Sequence, residues 1–321
     1  MILAAGYGTR LWPLTIDRAK PAIPFMGRPL VGYVAEYLAR FGCREVAVNL
    51  HHRPESVRAA LGDGGRFGVR LEYVEEPEIL GTSGALDNAR YFFERDTFVV
   101  VNGKIATDID LGAAFETHRR AGALATLVLQ RNEARERFSA VEVEGGLVTR
   151  FAGMPSKAGT GDAPLMFTGI QILEPRVFDY IPRGVFSHTT TDVYVPAIAR
   201  GERVAAHVAE GYWYELSTIP RYLDISLALM KREGVETVVG EGAVIEPGAD
   251  VTEAVLWENA RVGRGARVRR AVLGAGVSVG AGEIIEDAAV VRAELVEGEE
   301  RPEKALPGEV RGANFVVPLG G

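Results

Sequence analysis

The sequence predicts an α/β protein: a Rossmann-like, mainly parallel sheet with helices on both faces, followed by a short left-handed parallel β-helix. Three observations carry this. Over the first 130 or so residues apolar runs alternate with helix-length amphipathic segments, the βαβα rhythm of a sheet covered on both sides. Near residue 236 the period changes to six, with apolar residues at Val239, Ile245, Val251, Trp257, Val262, Val268, Leu273, Val279, Ile285 and Val291 and two steps of five among them. Glycine is abundant, 38 of 321 residues, about 12% against a usual ~7%, as a chain with many tight turns requires.

Taken in order, Met1 to Ala5 is a short strand, and Leu30 to Phe41 places Leu30, Val34, Tyr37 and Leu38 on one helical face. Glu45 to Leu50 is a β-branched run, 53–61 a helix, 69–74 a strand and 83–94 a helix. Phe98 to Asn102 is apolar enough for a fully buried strand, 110–122 is a helix, and Ala125 to Gln130 a strand. Weaker signals give strands near 139–143 and 168–173, a loop at 153–164 and a closing helix at 221–233. In the hexad region one branched side chain per short strand points inward and glycine takes the corners, so residues 239–292 make about three coils of three hexads. The expected domains are 1–233, 234–296 for the repeat, and a tail at 297–321 whose Glu/Pro-rich start is a linker or cap before Phe315-Val316-Val317.

Charge narrows the partners. Lys+Arg 36 against Asp+Glu 43 gives a net charge of −7, so no general basic field exists to gather nucleic acid or an anionic membrane. The lone Cys43 excludes an intramolecular disulfide and a multi-cysteine metal site, and reads as a small core residue. No apolar run reaches the roughly 18 residues that span a bilayer, and the expected location is the cytoplasm.

After the first strand comes Gly6-Tyr7-Gly8-Thr9-Arg10-Leu11, and ten residues past Arg10 come Lys20-Pro21. Glycines behind a parallel strand let backbone N–H groups approach phosphate oxygens, while Arg10 and Lys20 can neutralise a polyphosphate. Leu11 stands where a dinucleotide fingerprint needs its third glycine, so a nicotinamide site is disfavoured, and the loop is not a Walker A sequence.

The string Leu3-Ala4-Ala5-Gly6-Tyr7-Gly8-Thr9-Arg10-Leu11 with Ala19-Lys20-Pro21 resembles the signature of the sugar-1-phosphate nucleotidylyltransferases. Further similar stretches are Glu78 to Leu86, Val100-Val101-Asn102-Gly103, Phe167-Thr168-Gly169-Ile170, and Gly211-Tyr212-Trp213 through Pro220. With the hexapeptide tail the resemblance covers nearly the whole chain. It implies attack of a sugar 1-phosphate on the α-phosphorus of an NTP, releasing pyrophosphate, with catalysis mostly by positioning and charge neutralisation. On this resemblance Arg10 holds the leaving phosphates and Lys20 bridges oxygens near the α-phosphorus. Leu3, Ala4, Ala5, Gly6, Gly8 and Thr9 contact nucleotide, as do Asn102 and Gly103; Gly81, Thr82 and Ser83 sit by base and ribose; Thr168, Gly169 and Trp213 face the sugar.

Three positions break the family pattern. Its Asn-Gly-Asp, whose aspartate ligates Mg²⁺, is here Asn102-Gly103-Lys104. Its second metal aspartate falls on Glu215, one methylene longer, and the lysine of its Glu-Lys-Pro element is absent at Gly153-Met154-Pro155, with Lys157 the nearby substitute. Two carboxylates and Mg²⁺ sum to zero charge, and so do Lys104 and Glu215. The expectation is therefore that Lys104 takes the metal's place as a catalytic residue, pairs with Glu215 and contacts the α-phosphate, with poorer geometry than an octahedral ion. Asp108 and Asp110 are alternative metal ligands. A second reading is a degenerate homologue that binds nucleotide or nucleotide sugar and regulates or scaffolds a partner.

All five histidines precede the repeat, which argues against acyl transfer there, and they read as surface or hydrogen-bonded structural residues. Trp257 interrupts the aliphatic ladder and reads as a corner or interface residue. An apolar flank on the repeat suits a homo-oligomer. The base stays open between guanine, uracil and thymine, with a lean to GTP and mannose 1-phosphate; Leu61 to Gly68 also resembles the uridylyltransferase acting on N-acetylmuramate 1-phosphate.

Overall fold

The computed structural model describes residues 1–155 and 162–320; Lys157 and half of the loop expected at 153–164 lie outside them. The chain forms two compact units, both discontinuous in sequence: Met1–Ala5, Val34–His51 and Gly62–Trp213 in the first, and Gly6–Tyr33, His52–Leu61 and Tyr214–Gly321 in the second. The helix α1 (Leu30–Arg40) begins in the second and ends in the first.

The first unit is built on a nine-stranded sheet. Its strands are β1 (Ile2–Leu3), β2 (Glu45–Leu50), β3 (Arg70–Glu75), β4 (Phe98–Asn102), β5 (Ala125–Arg131), β6 (Ala140–Glu144), β7 (Leu147–Phe151), β8 (Leu165–Leu173) and β9 (Val204–Val208). Their spatial order is β3-β2-β1-β4-β8-β5-β9-β7-β6. The first four are mutually parallel, as the alternating pattern predicts. The remainder is mixed, because β8 runs antiparallel to both β4 and β5, so the sheet is less parallel than expected. The register of β8 against β5 slips between Phe167 and Gln171, a bulge that contains Thr168-Gly169. The apolar strands of the centre bury fully, with Val100, Leu127 and Leu173 at 0% exposure.

Helix boundaries follow local chemistry. Asp110 caps α4 (Leu111–Ala121) by accepting from the N–H groups of Gly112 (2.8 Å) and Ala113 (3.1 Å), and left-handed Gly122 ends it. The helix expected at 83–94 instead starts at Gly81 and is α-helical only to Asn88 (α3).

In the second unit α2 spans Pro54–Leu61, and α5 (Ile219–Glu233) is capped by Thr218, has Pro220 in its first turn, and ends at left-handed Gly234. The repeat follows as two parallel sheets. One contains β10 (Thr237–Val239), β12 (Asp250–Leu256), β14 (Arg267–Leu273) and β16 (Ile284–Arg292); the other contains β11 (Val244–Ile245), β13 (Arg261–Val262) and β15 (Ser278–Val279). Successive strands pair at a 17-residue offset: Val239 with Leu256, Leu256 with Leu273, and Leu273 with Val290. The two hexad steps and one five-residue step of the sequence are this offset. Val262, Val268, Leu273, Val279 and Ile285 form the stack's buried core.

Register corrects two positions of the ladder. Leu256 and Val290, not Trp257 and Val291, occupy the inward places. Trp257 is instead buried against α5, its indole N–H donating to the Tyr222 hydroxyl (3.1 Å) and its ring lying 5.2 Å from the Arg18 guanidinium carbon. The C-terminal tail is a cap: β17 (Glu309–Arg311) and β18 (Asn314–Pro318) form an antiparallel pair, β18 adds to β16, and Val316 enters the core.

Trp257 is 2% exposed, so Trp257→Ala is expected to destabilise the protein by about 3–5 kcal/mol, read as a lowered denaturation midpoint, whereas Ile284→Ala on the exposed flank shifts it little.

Candidate active site

The sequence-predicted site residues divide between the units. In the second, the glycine-rich loop turns through a short 3₁₀ segment at Thr9–Leu11, with the Leu11 N–H donating to the Gly8 carbonyl (2.8 Å). Gly8 is left-handed, with φ of 69°, and a Cβ there would stand 2.8 Å from the Lys20 Cβ. Glycine is required twice over, by conformation and by closeness. Gly6, Thr9 and Arg10 are exposed. The Lys20 ammonium donates to the carbonyl of Leu216, and the preceding residue, Glu215, is buried with its own carbonyl accepting from Arg221 Nε (3.1 Å). Thus the loop, Lys20 and the Glu215 segment are tied together, while Arg10 projects outward.

In the first unit the segments expected to meet nucleotide and sugar are held by contacts the sequence did not disclose. The Ala4 N–H donates to Asn49 Oδ1 (2.7 Å), Asn49 Nδ2 donates to Glu76 Oε1 (2.7 Å), and Glu76 Oε2 accepts from the Leu80 N–H (3.0 Å). This chain connects the end of β1 to the start of α3. Glu76 is 3% exposed; burial pushes its carboxyl pKa up, against the opposing hydrogen bonds from Asn49 and Leu80.

A strap at 187–189 binds the first turn of α3. The Ser187 carbonyl accepts from the Ser83 N–H (3.0 Å), the Ser83 hydroxyl donates to the Ser187 hydroxyl (2.8 Å), and Thr82 Oγ1 accepts from the Thr189 N–H (2.9 Å). A side chain at Gly81 would collide with the Ser187 carbonyl. Asn49, Glu76, Ser187 and Thr189 are ordinary polar residues in sequence; only their burial reveals a role.

At the bulge, Gly169 is left-handed and its Cα faces the Asn102 amide so closely that a Cβ would overlap it. Asn102, Gly169 and Thr168 are therefore brought together. Thr168 is fully buried, its hydroxyl donating to the Val128 carbonyl (2.7 Å), and its own carbonyl accepts from Trp213 Nε1 (2.8 Å). The Trp213 ring meets Phe138 edge-on at 5.3 Å.

Of the five histidines, His118 is buried between the Thr126 hydroxyl (2.8 Å) and Glu174 Oε1 (3.0 Å). Cys43 is half-buried, and burial raises its thiol pKa.

The donor set does not fit a magnesium site. Lys104 cannot ligate a cation, Asp108 Oδ1 accepts from the Tyr212 N–H (2.6 Å), and Asp110 caps α4. Among the described residues no group of three His, Cys, Asp or Glu side chains could hold a metal ion.

Comparison with known proteins gives the family. Residues 1–232 match the nucleotidyl transferase family model and 230–295 the GlmU-like C-terminal hexapeptide model. The chain belongs to the nucleotidyl transferase family. It is 32% identical over 263 residues to a UTP–glucose-1-phosphate uridylyltransferase of Synechocystis, covering 77% of this chain and 67% of the relative. To a mannose-1-phosphate guanylyltransferase of Mycobacterium tuberculosis it is 29% identical over 260 residues, covering 78% and 72%. To an N-acetylmuramate α-1-phosphate uridylyltransferase of Neisseria meningitidis it is 32% identical over 231 residues, covering 69% and 94%. HddC from Yersinia pseudotuberculosis shares the fold, with a TM-score of 0.61 at 22% identity over 71% of this chain and 97% of that one. Among the described residues no helix is long and apolar enough to cross a membrane.

Two outcomes follow. Gly8→Ala is expected to weaken nucleotide binding at least about tenfold in a fluorescence titration, since the loop must move off Lys20 to relieve a strain of about 1–3 kcal/mol. Glu76 binds its proton more tightly folded than unfolded, so its contribution to stability is greatest at acid pH and declines as pH rises from the ordinary carboxylate value through the raised one. Glu76→Gln is expected to flatten that decline in chemical denaturation measured across pH.

Proposed function

We propose that this protein transfers a nucleotidyl group from an NTP to a sugar 1-phosphate, giving an NDP-sugar and pyrophosphate. Membership of the family supports the reaction class, and the observation that carries it to these residues is the Gly8–Lys20 approach in the loop behind β1. A sugar-phosphate oxygen attacks the α-phosphorus in line; the bond to the β-phosphate oxygen breaks and pyrophosphate leaves.

The roles are divided as follows. Arg10, which is exposed, neutralises the leaving phosphates, and Lys20 the oxygens nearer the α-phosphorus. Backbone at Leu3, Ala4, Ala5, Gly6, Gly8 and Thr9 cradles the nucleotide with Asn102 and Gly103. Gly81, Thr82 and Ser83 receive base and ribose, and Thr168, Gly169 and Trp213 shape the sugar side. Because the Thr168 hydroxyl is committed to Val128, Thr168 acts through its backbone and the placing of Trp213.

The family uses a divalent metal, and the residues here do not suit one. Lys104 is proposed to supply its positive charge to the α-phosphate. A lone ammonium organises fewer oxygens than a metal ion, and a loss of about 3–4 kcal/mol of transition-state stabilisation slows turnover by about 10²–10³. The repeat is proposed to be a left-handed coil, within a functional division of 1–233, 234–296 and 297–321, and self-association through its flank, where Ile284 is exposed, accompanies this reading.

Pyrophosphate release measured over a panel of NTPs and sugar 1-phosphates, with Mg²⁺ and with EDTA, tests the proposal. Turnover that survives EDTA in the wild type, and that becomes EDTA-sensitive in Lys104→Asp, is the expected result; Arg10→Ala is expected to lower kcat/KM by about 10²–10³. Turnover equally sensitive to EDTA in both, or no turnover with any pair, contradicts it.

A further inference from the structure

The repeat stack is closed at one end and open at the other. At its C-terminal end β18 pairs with β16 and places Val316 in the core. At its start no such cap exists among the described residues: β10 and β11 are the terminal strands of their sheets, paired on one side only. The same inward register that buries Leu256 to 1% and Val262 to 0% leaves Val239 49% and Ile245 40% exposed. A solenoid end with an apolar face and free strand edges is a surface for another rung, since terminal repeats otherwise carry a polar outer face.

Charge decides what that rung is. The first coil carries Glu236, Glu241, Glu246, Asp250 and Glu253, with no Lys or Arg between 235 and 254. The second carries Arg261, Arg264, Arg267, Arg269 and Arg270 against Glu258, and the third Glu283, Glu286 and Asp287 with no basic residue between 272 and 288. Sign alternates from rung to rung, and ion pairs cross between them: Arg267 with Asp250 (3.8 Å), Arg269 with Glu253 (3.7 Å) and Arg270 with Asp287 (2.8 Å). Like charges stacked at neighbouring strand positions are destabilising. The next rung outward from the acidic first coil must therefore be basic.

We propose that the open end of the stack is a docking surface for a rung of a different polypeptide, one with aliphatic side chains inward and Lys or Arg outward. A second copy meeting this end through its own first coil would set acid against acid, so self-stacking here is opposed.

The test supplies a basic rung of the right geometry, a full-length copy carrying Glu236→Lys, Glu241→Lys and Glu246→Lys, with Asp250 and Glu253 kept for their arginines. Mixed with wild type and followed by analytical ultracentrifugation, it is expected to form a one-to-one complex above whatever mass each shows alone. That complex is expected to weaken roughly tenfold or more as salt rises from about 50 to 300 mM, and to be lost when the wild-type partner carries Ile245→Asp. Should the triple variant fail to fold by circular dichroism, Glu236→Lys with Glu241→Lys is read the same way. The proposal is overturned if the folded variant and wild type do not associate, or if wild type alone forms an assembly that Ile245→Asp dissociates.

Discussion

One buried carboxylate ties together the end of β1 and the start of α3, the segments proposed to hold the nucleotide. Glu76 holds Asn49 with one oxygen and the backbone of Leu80 with the other, and Asn49 in turn holds Ala4. A carboxyl in so dry a place costs free energy unless its lone pairs are filled, so each partner is fixed in orientation. The end of β1 and the start of α3 are thereby set by a single side chain. Everything downstream depends on that spacing: the strap at Ser187 and Thr189 binds α3 only because α3 begins where Leu80 is held.

Much of the fold was legible in the sequence because it rests on periodicity. Apolar runs at Glu45–Leu50 and Phe98–Asn102 and amphipathic segments near 30–41 and 110–122 are strands and helices as expected. The six-residue rhythm of the repeat survives as a 17-residue register. What periodicity could not separate were two adjacent apolar residues that face opposite ways. At Leu256-Trp257 and Val290-Val291 the shorter step belongs to the first of each pair, and only pairing with the neighbouring strand decides it. The antiparallel course of β8 was likewise hidden, since a strand's direction leaves no mark on its own alternation.

The candidate site was legible in sequence only where residue type and backbone conformation coincide. Gly8 and Gly169 announce themselves as glycines, and each stands where a Cβ would strike a neighbouring side chain, Lys20 or Asn102. Glu76, Asn49 and Ser187 gave no such signal, because their importance comes from burial and not from residue type. The repeat shows the converse: its charges are conspicuous in sequence, but their alternation from rung to rung has meaning only once strands 17 residues apart are seen to be neighbours.

Lys104 carries the proposed departure from the family, an ammonium where the sequence resemblance places a metal-binding carboxylate. The change reverses the local demand for charge: a carboxylate needs a cation before phosphates can approach, and a lysine does not. Calorimetric titration of NTP into the wild type and Lys104→Asp, each with and without Mg²⁺, addresses this most directly. The account predicts that the wild type binds metal-free NTP at least as tightly as the magnesium complex, while Lys104→Asp binds only when Mg²⁺ is present. An equal requirement for Mg²⁺ in both proteins would contradict it.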